Sequence, residues 1–142
     1  MRQAFDYVIV QLVPRVERDE RLNLGAILFC PGAGYLGCLL AGDEVERDLR
    51  ASSLARQLDL PAVRRQLEAI RAVCAGAPSA GPIARLSRSE RFHWLSAPRS
   101  TVVQPSAAHA GLCEDPALAL ARVFEAEVAR SSPTTRSVPP PA

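Results

Sequence analysis

The chain has 142 residues, which is enough for one domain with a hydrophobic core. Hydrophobic residues make up 48% and charged residues 23%, a composition that is typical of globular proteins and excludes a chain that is disordered throughout. The formal net charge of +2 argues against nucleic acid as a partner, because nucleic-acid-binding domains usually carry a strongly basic surface.

The first residues and the cysteines indicate a reducing compartment. Residues 1–6 lack the apolar run of a secretory signal, and no stretch is long enough to span a bilayer. The four cysteines form no CxxC pair, and such thiols are usually small buried hydrophobes in reduced proteins. All basic residues are arginine and 12 residues are proline, which favours a high-GC bacterial genome. We therefore expect a cytoplasmic bacterial protein that does not contact a membrane.

Three aliphatic segments open the chain and predict an antiparallel meander. They are residues 7–13, 24–30 and 35–40. Pro14 ends the first segment because proline cannot donate to a strand ladder, and residues 31–34 (Pro-Gly-Ala-Gly) predict a turn before the third. Residues 100–104 predict a late fourth strand, whereas residues 105–113 are expected to be irregular.

Capping residues predict three helices after the meander. The clearest starts at the N-cap Asp59 and stops at Gly76. A capping-box pattern of Ser87 and Glu90 predicts a short second helix. Asp115, which precedes a proline, predicts the start of the last helix. Residues 44–50 are a further candidate for a short charged helix, and the residues expected to share one face of the last helix are Ala117, Leu120, Ala121, Phe124 and Val128.

These elements together predict an α+β fold. We expect a small antiparallel sheet of three to four strands, with the meander first and one strand late, packed by about three helices. Residues 1–129 form the predicted single domain. Residues 130–142 are rich in serine, threonine and proline, which predicts a disordered tail.

The connection between the first two strands is the first candidate site. It contains Arg15, Glu17 and Glu20 and ends at Asn23. Glu17 and Glu20 have the chemistry of an acid–base pair, whereas charge runs are usually solvated surfaces whose opposite charges pair with each other. Long connections on a rigid scaffold often carry binding residues, so these four positions are candidate binding residues.

The second candidate site is the basic stretch 85–101, where four arginines accompany one glutamate. Guanidinium groups beside hydroxyl groups are good hosts for a phosphate or a carboxylate. Arg91, Arg99 and Ser100 are therefore candidates for binding a small anionic ligand. Trp94 has the chemistry to stack on a ligand, but its spacing beside Leu95 is more typical of a core residue.

His109 and Cys113 form the third candidate site, because they stand four residues apart in a glycine-containing stretch. As zinc ligands they lack the closely spaced pairs that structural zinc sites normally bring. As a nucleophile and its base they need a spatial contact that a sequence does not show. The chain contains no phosphate-binding loop and no dinucleotide fingerprint, so neither a metal nor a cofactor is predicted.

Two blocks of the sequence resemble an uncharacterised bacterial family, the domain of unknown function 3037 (DUF3037). The first block is YVIVQLVP at residues 7–14, then Glu17, Glu20 and LNLGAILFCP at residues 22–31. The second block is ERF at 90–92, then WL, APRST at 97–101, and later His109, Cys113 and DP at 115–116. The resemblance covers roughly residues 5–128. It implies no established activity, and it implies a partner or regulator role beside a kinase-like protein that resembles the toxin kinase HipA.

Three hypotheses of function stay open. The first is a non-catalytic accessory protein whose two polar segments meet at one end of the sheet and bind a partner or an anion. The second is a small hydrolase or phosphotransfer-related enzyme that uses His109 as base and Cys113 or Glu17 as acid or nucleophile. The third is a structural scaffold in which the polar residues pair internally. The residues that the resemblance marks in its signature are Glu17, Glu20, Asn23, Arg99, Ser100, His109 and Cys113.

Overall fold

The computed structural model describes residues 1–13, 21–42, 58–99 and 101–129. Within these ranges the chain forms five strands and three α-helices, and it confirms the α+β class. The predicted helix at 44–50 and the predicted tail at 130–142 lie outside the described residues. The elements in chain order are β1 (Gln3–Leu12), β2 (Leu22–Cys30), β3 (Tyr35–Leu40), α1 (Leu60–Ala75), α2 (Arg88–Ser96), β4 (Val103–Pro105), β5 (His109–Cys113) and α3 (Pro116–Phe124).

The sheet is antiparallel, and β1 lies at its centre. The strand order is β3-β2-β1, and both β4 and β5 pair with the remaining edge of β1. β4 pairs with the end of β1 at Val10–Leu12, and β5 pairs with its beginning at Gln3–Tyr7. The two late strands are therefore successive segments along one edge of β1. The late strand predicted at residues 100–104 exists, but it begins later, extends to Cys113 and is interrupted after Pro105.

A one-residue bulge separates β4 from β5. Val10 pairs with Pro105 and Tyr7 pairs with His109, so three residues of the late strand oppose two of β1. Ser106 fills the gap: its N–H donates to the Ile9 carbonyl at 2.8 Å, and its hydroxyl oxygen accepts from the Ile9 N–H at 2.9 Å. The prediction of an irregular segment over residues 105–113 was wrong, because a side chain here replaces one ladder acceptor and the strand resumes.

The two faces of the sheet carry separate hydrophobic clusters, because successive residues of a strand point to opposite faces. Val8, Val10 and Leu12 of β1 pack with α1 and α2 on one face. Phe5 and Ile9 pack with Leu120 of α3 on the other. The central strands β1 and β2 are thus covered on both sides, which explains why their sequences are almost continuously apolar.

The predicted helix boundaries are confirmed by their caps. The Asp59 side chain accepts a hydrogen bond from the Ala62 N–H, and Gly76 takes a left-handed conformation with φ of 70° at the end of α1. Ser87 and Glu90 form the capping box of α2, and the Asp115 side chain accepts the first backbone donors of α3.

The predicted core face of α3 needs a correction. Leu120 and Val128 are buried as expected, but Ala117 and Ala121 are exposed. Ala119 and Val123 pack against the cluster beneath the helix instead. The helix is apolar around most of its circumference, so its sequence did not determine which side faces the sheet.

Candidate functional site

The two polar segments of the sequence leave the sheet side by side. The first follows Val13 at the end of β1, and the second precedes β4. The Val13 N–H donates to the Val102 carbonyl at 2.7 Å, which joins the two stems directly. Arg15, Glu17, Glu20 and Ser100 lie outside the described residues, so the predicted approach of Glu17 to Arg99 stays a prediction.

Arg99 and Trp94 form a partly exposed cation–π pair at the end of α2. The Arg99 guanidinium carbon lies 4.3 Å from the centroid of the Trp94 ring, and Nη2 donates to the Trp94 carbonyl at 3.2 Å. Burial lowers the pKa of Arg99, but arginine stays protonated at neutral pH. Trp94 is 36% exposed, so the expectation of a core tryptophan was wrong. We call these two residues the Trp94–Arg99 surface.

The Trp94–Arg99 surface lies close to the joined stems. Arg99 is three residues before Val102, and three residues span at most about 11 Å even when fully extended. Pro98 ends α2 and turns the chain back, so that the guanidinium returns to the last turn of the helix it has just left. A cation held near the carboxyl end of a helix also interacts favourably with its dipole.

Asn23 has a structural role in the fold. It is 6% exposed and is the one buried polar residue among the described residues. Its Oδ1 accepts from Gln11 Nε2 at 3.1 Å, and its Nδ2 donates to the Glu127 carbonyl at 2.8 Å. The side chain therefore connects β1, β2 and the turn that follows α3, and it is not presented to a ligand.

Arg91 also stabilises the fold. Its Nη1 donates to the carbonyls of Val73 at 3.0 Å and Cys74 at 2.9 Å, in the last turn of α1, where carbonyls lack a partner from a further turn of helix. The guanidinium therefore joins α2 to the carboxyl end of α1. A Cβ at Gly76 would come within 2.8 Å of this Nη1, so the glycine that ends α1 also leaves room for the arginine.

His109 and Cys113 do not lie together. They occupy the two ends of β5 and point to the same face, and four residues of strand separate them by about 13 Å. The exposed His109 ring rests on Tyr7, with 5.2 Å between ring centroids. The separation of about 13 Å between His109 and Cys113 is too long for direct proton transfer between their side chains.

The thiols fall into two neighbouring pairs, one on each face of the sheet. A hydrogen bond with the Cys74 thiol lowers the pKa of Cys38 on β3, although burial opposes it. The same hydrogen bond, followed by burial, raises the pKa of Cys74. Partial burial, followed by the charge of the Cys30 thiol, raises the pKa of Cys113. All four cysteines are free, and the described residues contain no group of three side chains that could hold a metal ion.

The comparisons with known proteins identify the family. The fold is that of an α+β domain whose edge strand is interrupted between β4 and β5. The chain belongs to the family described as Protein of unknown function (DUF3037), whose model matches residues 7–128. A search of curated proteins and a search of solved structures found no significant match. Among the described residues, no helix is long and apolar enough to cross a membrane.

Proposed function

We propose that the protein is a non-catalytic accessory protein of the bacterial cytoplasm, and that it binds a partner through the Trp94–Arg99 surface. The observation that carries the proposal is the stacked guanidinium, 4.3 Å from the centre of a 36% exposed indole ring. This pair lies a short distance along the chain from the hydrogen bond between Val13 and Val102 that joins β1 to the segment before β4.

The chemistry of the surface fits an anionic group on the partner. Tryptophan and arginine are the residue types most enriched among interface positions that dominate binding energy. Stacking and the hydrogen bond to the Trp94 carbonyl hold the guanidinium in one orientation, so less side-chain entropy is lost on binding. A guanidinium has five N–H donors, and only one of the Arg99 donors is used within the described residues. The others suit a carboxylate or a phosphate.

Two of the predicted binding residues, Asn23 and Arg91, have structural roles, so fewer candidates for ligand binding remain. Asn23 and Arg91 are engaged in the fold, which leaves Arg99 as the described candidate of the basic stretch whose guanidinium lies on a partly exposed aromatic ring. The family resemblance supplies the partner class: a kinase-like protein resembling HipA. A small anionic ligand would be held by the same guanidinium in place of a carboxylate or phosphate of that protein.

The test is a binding measurement on purified proteins. The chain and the HipA-like kinase from the same host are co-expressed, and complex formation is measured by size-exclusion chromatography and calorimetry. Trp94→Ala and Arg99→Ala are expected to weaken binding at least tenfold, as interface anchors do. Arg99→Lys keeps the charge but loses the planar donor array, and is expected to recover only part of the affinity.

The control is Arg88→Ala, since Arg88 is exposed on the first turn of the same helix and is remote from the ring pair. Circular dichroism establishes that each variant is folded. Equal affinity of the wild type and both alanine variants for the kinase contradicts the proposal, and so does the absence of any complex with the wild type. A third outcome is that the kinase does not bind, while inorganic phosphate raises the Tm of the wild type but not that of Arg99→Ala. In that case the ligand of the surface is a small anion and the proposed protein partner is wrong.

A further inference from the structure

The outer side of α3 carries exposed apolar residues, and among the described residues no core cluster includes them. The helix sequence is PALALARVF, and Leu120 is 3% exposed where it packs beneath the helix. Leu118 points the other way and is 48% exposed, and its neighbours Ala117 and Ala121 are exposed as well. A helix that covers one face of a sheet needs a single apolar stripe, with polar residues opposite. The outer stripe of α3 therefore indicates a second contact.

A groove lies beside this stripe. It has a volume of about 560 Å³ and runs between α3, the end of β5 and the start of the chain. Leu118 and Leu112 of β5, which is 64% exposed, are both among its lining residues. Phe5 and Val123 also line it. A protruding leucine and an apolar recess thus lie next to each other on one surface, which is the arrangement that a self-complementary contact requires.

We propose that this surface is the interface of a twofold homodimer, in which α3 packs antiparallel against α3 of a second copy with Leu118 at the axis. Each Leu118 then lies against the groove of the other copy. The exposed alanines on either side allow the two helices to approach closely, at the short end of the usual 8–10 Å interaxial distance. Antiparallel helices also align their dipoles favourably.

The charges around Leu118 match this geometry. An antiparallel twofold contact centred on Leu118 brings the N-terminal end of one α3, which Glu114 precedes, next to the last turn of the other, which carries Arg122. The contact therefore brings two opposite-charge pairs together. Arg122 lies about 6 Å along the helix from Leu118, and both Glu114 and Arg122 line the groove. Within the described residues neither side chain has an ion-pair partner in its own copy.

The same charges argue against other occupants. The groove is lined by Arg2 and Arg122 but also by Glu114 and Asp115, so it has no net positive charge to attract nucleic acid or an anionic membrane. A self-pairing surface, by contrast, needs equal numbers of both signs at symmetric positions. The contact lies on the opposite face of the sheet from α2, so a dimer keeps both Trp94–Arg99 surfaces accessible.

The size of the patch sets the expected affinity. A nine-residue helix is about 13.5 Å long, so the buried area falls at the low end for specific contacts, where association is weak. We expect a monomer–dimer equilibrium that is visible by sedimentation equilibrium of the full chain between about 1 µM and about 1 mM.

Three variants test the geometry. Leu118→Glu is expected to be monomeric over the whole range while its circular dichroism spectrum is unchanged, because Leu118 is not part of the core. Arg122→Glu alone is expected to weaken dimerisation about fivefold to tenfold, since it places like charges together twice. The double variant Glu114→Arg with Arg122→Glu restores opposite charges and is expected to return to within about threefold of the wild type.

The control is Arg88→Glu, a charge reversal on the other face of the molecule, which is expected to leave dimerisation unchanged. A wild type that stays monomeric up to the highest concentration overturns the proposal. A dimer that survives Leu118→Glu overturns it as well. A dimer that the single reversal weakens but the double variant does not restore overturns the antiparallel arrangement. None of these measurements involves a partner protein, so their outcome is independent of binding at the Trp94–Arg99 surface.

Discussion

Replacing Asn23 by alanine separates a structural role from a ligand-binding role at one position. The change removes the hydrogen bond from Gln11 Nε2 and the hydrogen bond to the Glu127 carbonyl, at 3.1 Å and 2.8 Å. Each of the two bonds contributes about 1–2 kcal/mol at this partly buried position. We therefore expect a loss of about 2–4 kcal/mol in the free energy of unfolding.

The assay is urea unfolding followed by circular dichroism. With an m-value of about 2 kcal/mol/M, the expected loss lowers the unfolding midpoint by about 1–2 M. Gln66→Ala is the matched control, because Gln66 is a partly exposed amide on α1 and its loss is expected to stay within about 0.5 kcal/mol. If Asn23→Ala lowers the free energy of unfolding by less than about 0.5 kcal/mol, the structural role is refuted and Asn23 is again a candidate binding residue.

Asn23→Asp adds a pH dependence to the same test. The carboxylate keeps an acceptor for Gln11 but faces the Glu127 carbonyl, so the folded state favours the protonated form and raises the pKa of this Asp above its unfolded value of about 3.9. The destabilisation is therefore smallest below about pH 4 and grows as the pH rises. A variant whose stability is the same at pH 4 and pH 7 contradicts the reasoning.

Three further outcomes follow from the described contacts. Arg91→Ala leaves two carbonyls at the end of α1 without their charged donor and is expected to cost about 2–3 kcal/mol, seen as a lower Tm; an unchanged Tm contradicts the capping role. Gly25→Ala places a Cβ about 2.6 Å from the Leu39 carbonyl oxygen and is expected to destabilise by at least about 1–3 kcal/mol in urea, whereas a neutral substitution shows that β3 moves freely. Native alkylation read by mass spectrometry should label Cys38 at lower pH than Cys113, because the pKa of Cys38 is lowered and that of Cys113 is raised; the reverse order contradicts the thiol pairing.

The meander and the helix ends could be predicted because each depends on local chemistry. The third strand, Tyr35–Leu40, begins and ends where its apolar run does, and Asp59, Gly76 and Asp115 cap helices through their own side chains or dihedral angles. The second half of the late strand was missed because it contains small residues, and because its pairing with β1 depends on a hydroxyl group, that of Ser106, acting as a ladder acceptor.

The candidate site could be predicted only as a stretch of sequence. Arg91 and Arg99 belong to the same basic segment, yet Arg91 turns inward to the end of α1 and Arg99 turns outward onto Trp94. The direction of each side chain depends on where the neighbouring helix ends, which is a tertiary property. The opposed charges around Leu118 were visible in the sequence, but their symmetry acquires meaning only once the outer face of α3 is known to be exposed.

The most direct test of the accessory role is hydrogen–deuterium exchange of the protein alone and in complex with the HipA-like kinase. We expect slower exchange in the complex for peptides covering residues 91–103 and the end of β1, because these backbone segments form the Trp94–Arg99 surface and the joined stems. Protection confined to α3 and β5, with residues 91–103 exchanging as in the free protein, would contradict the proposed binding surface.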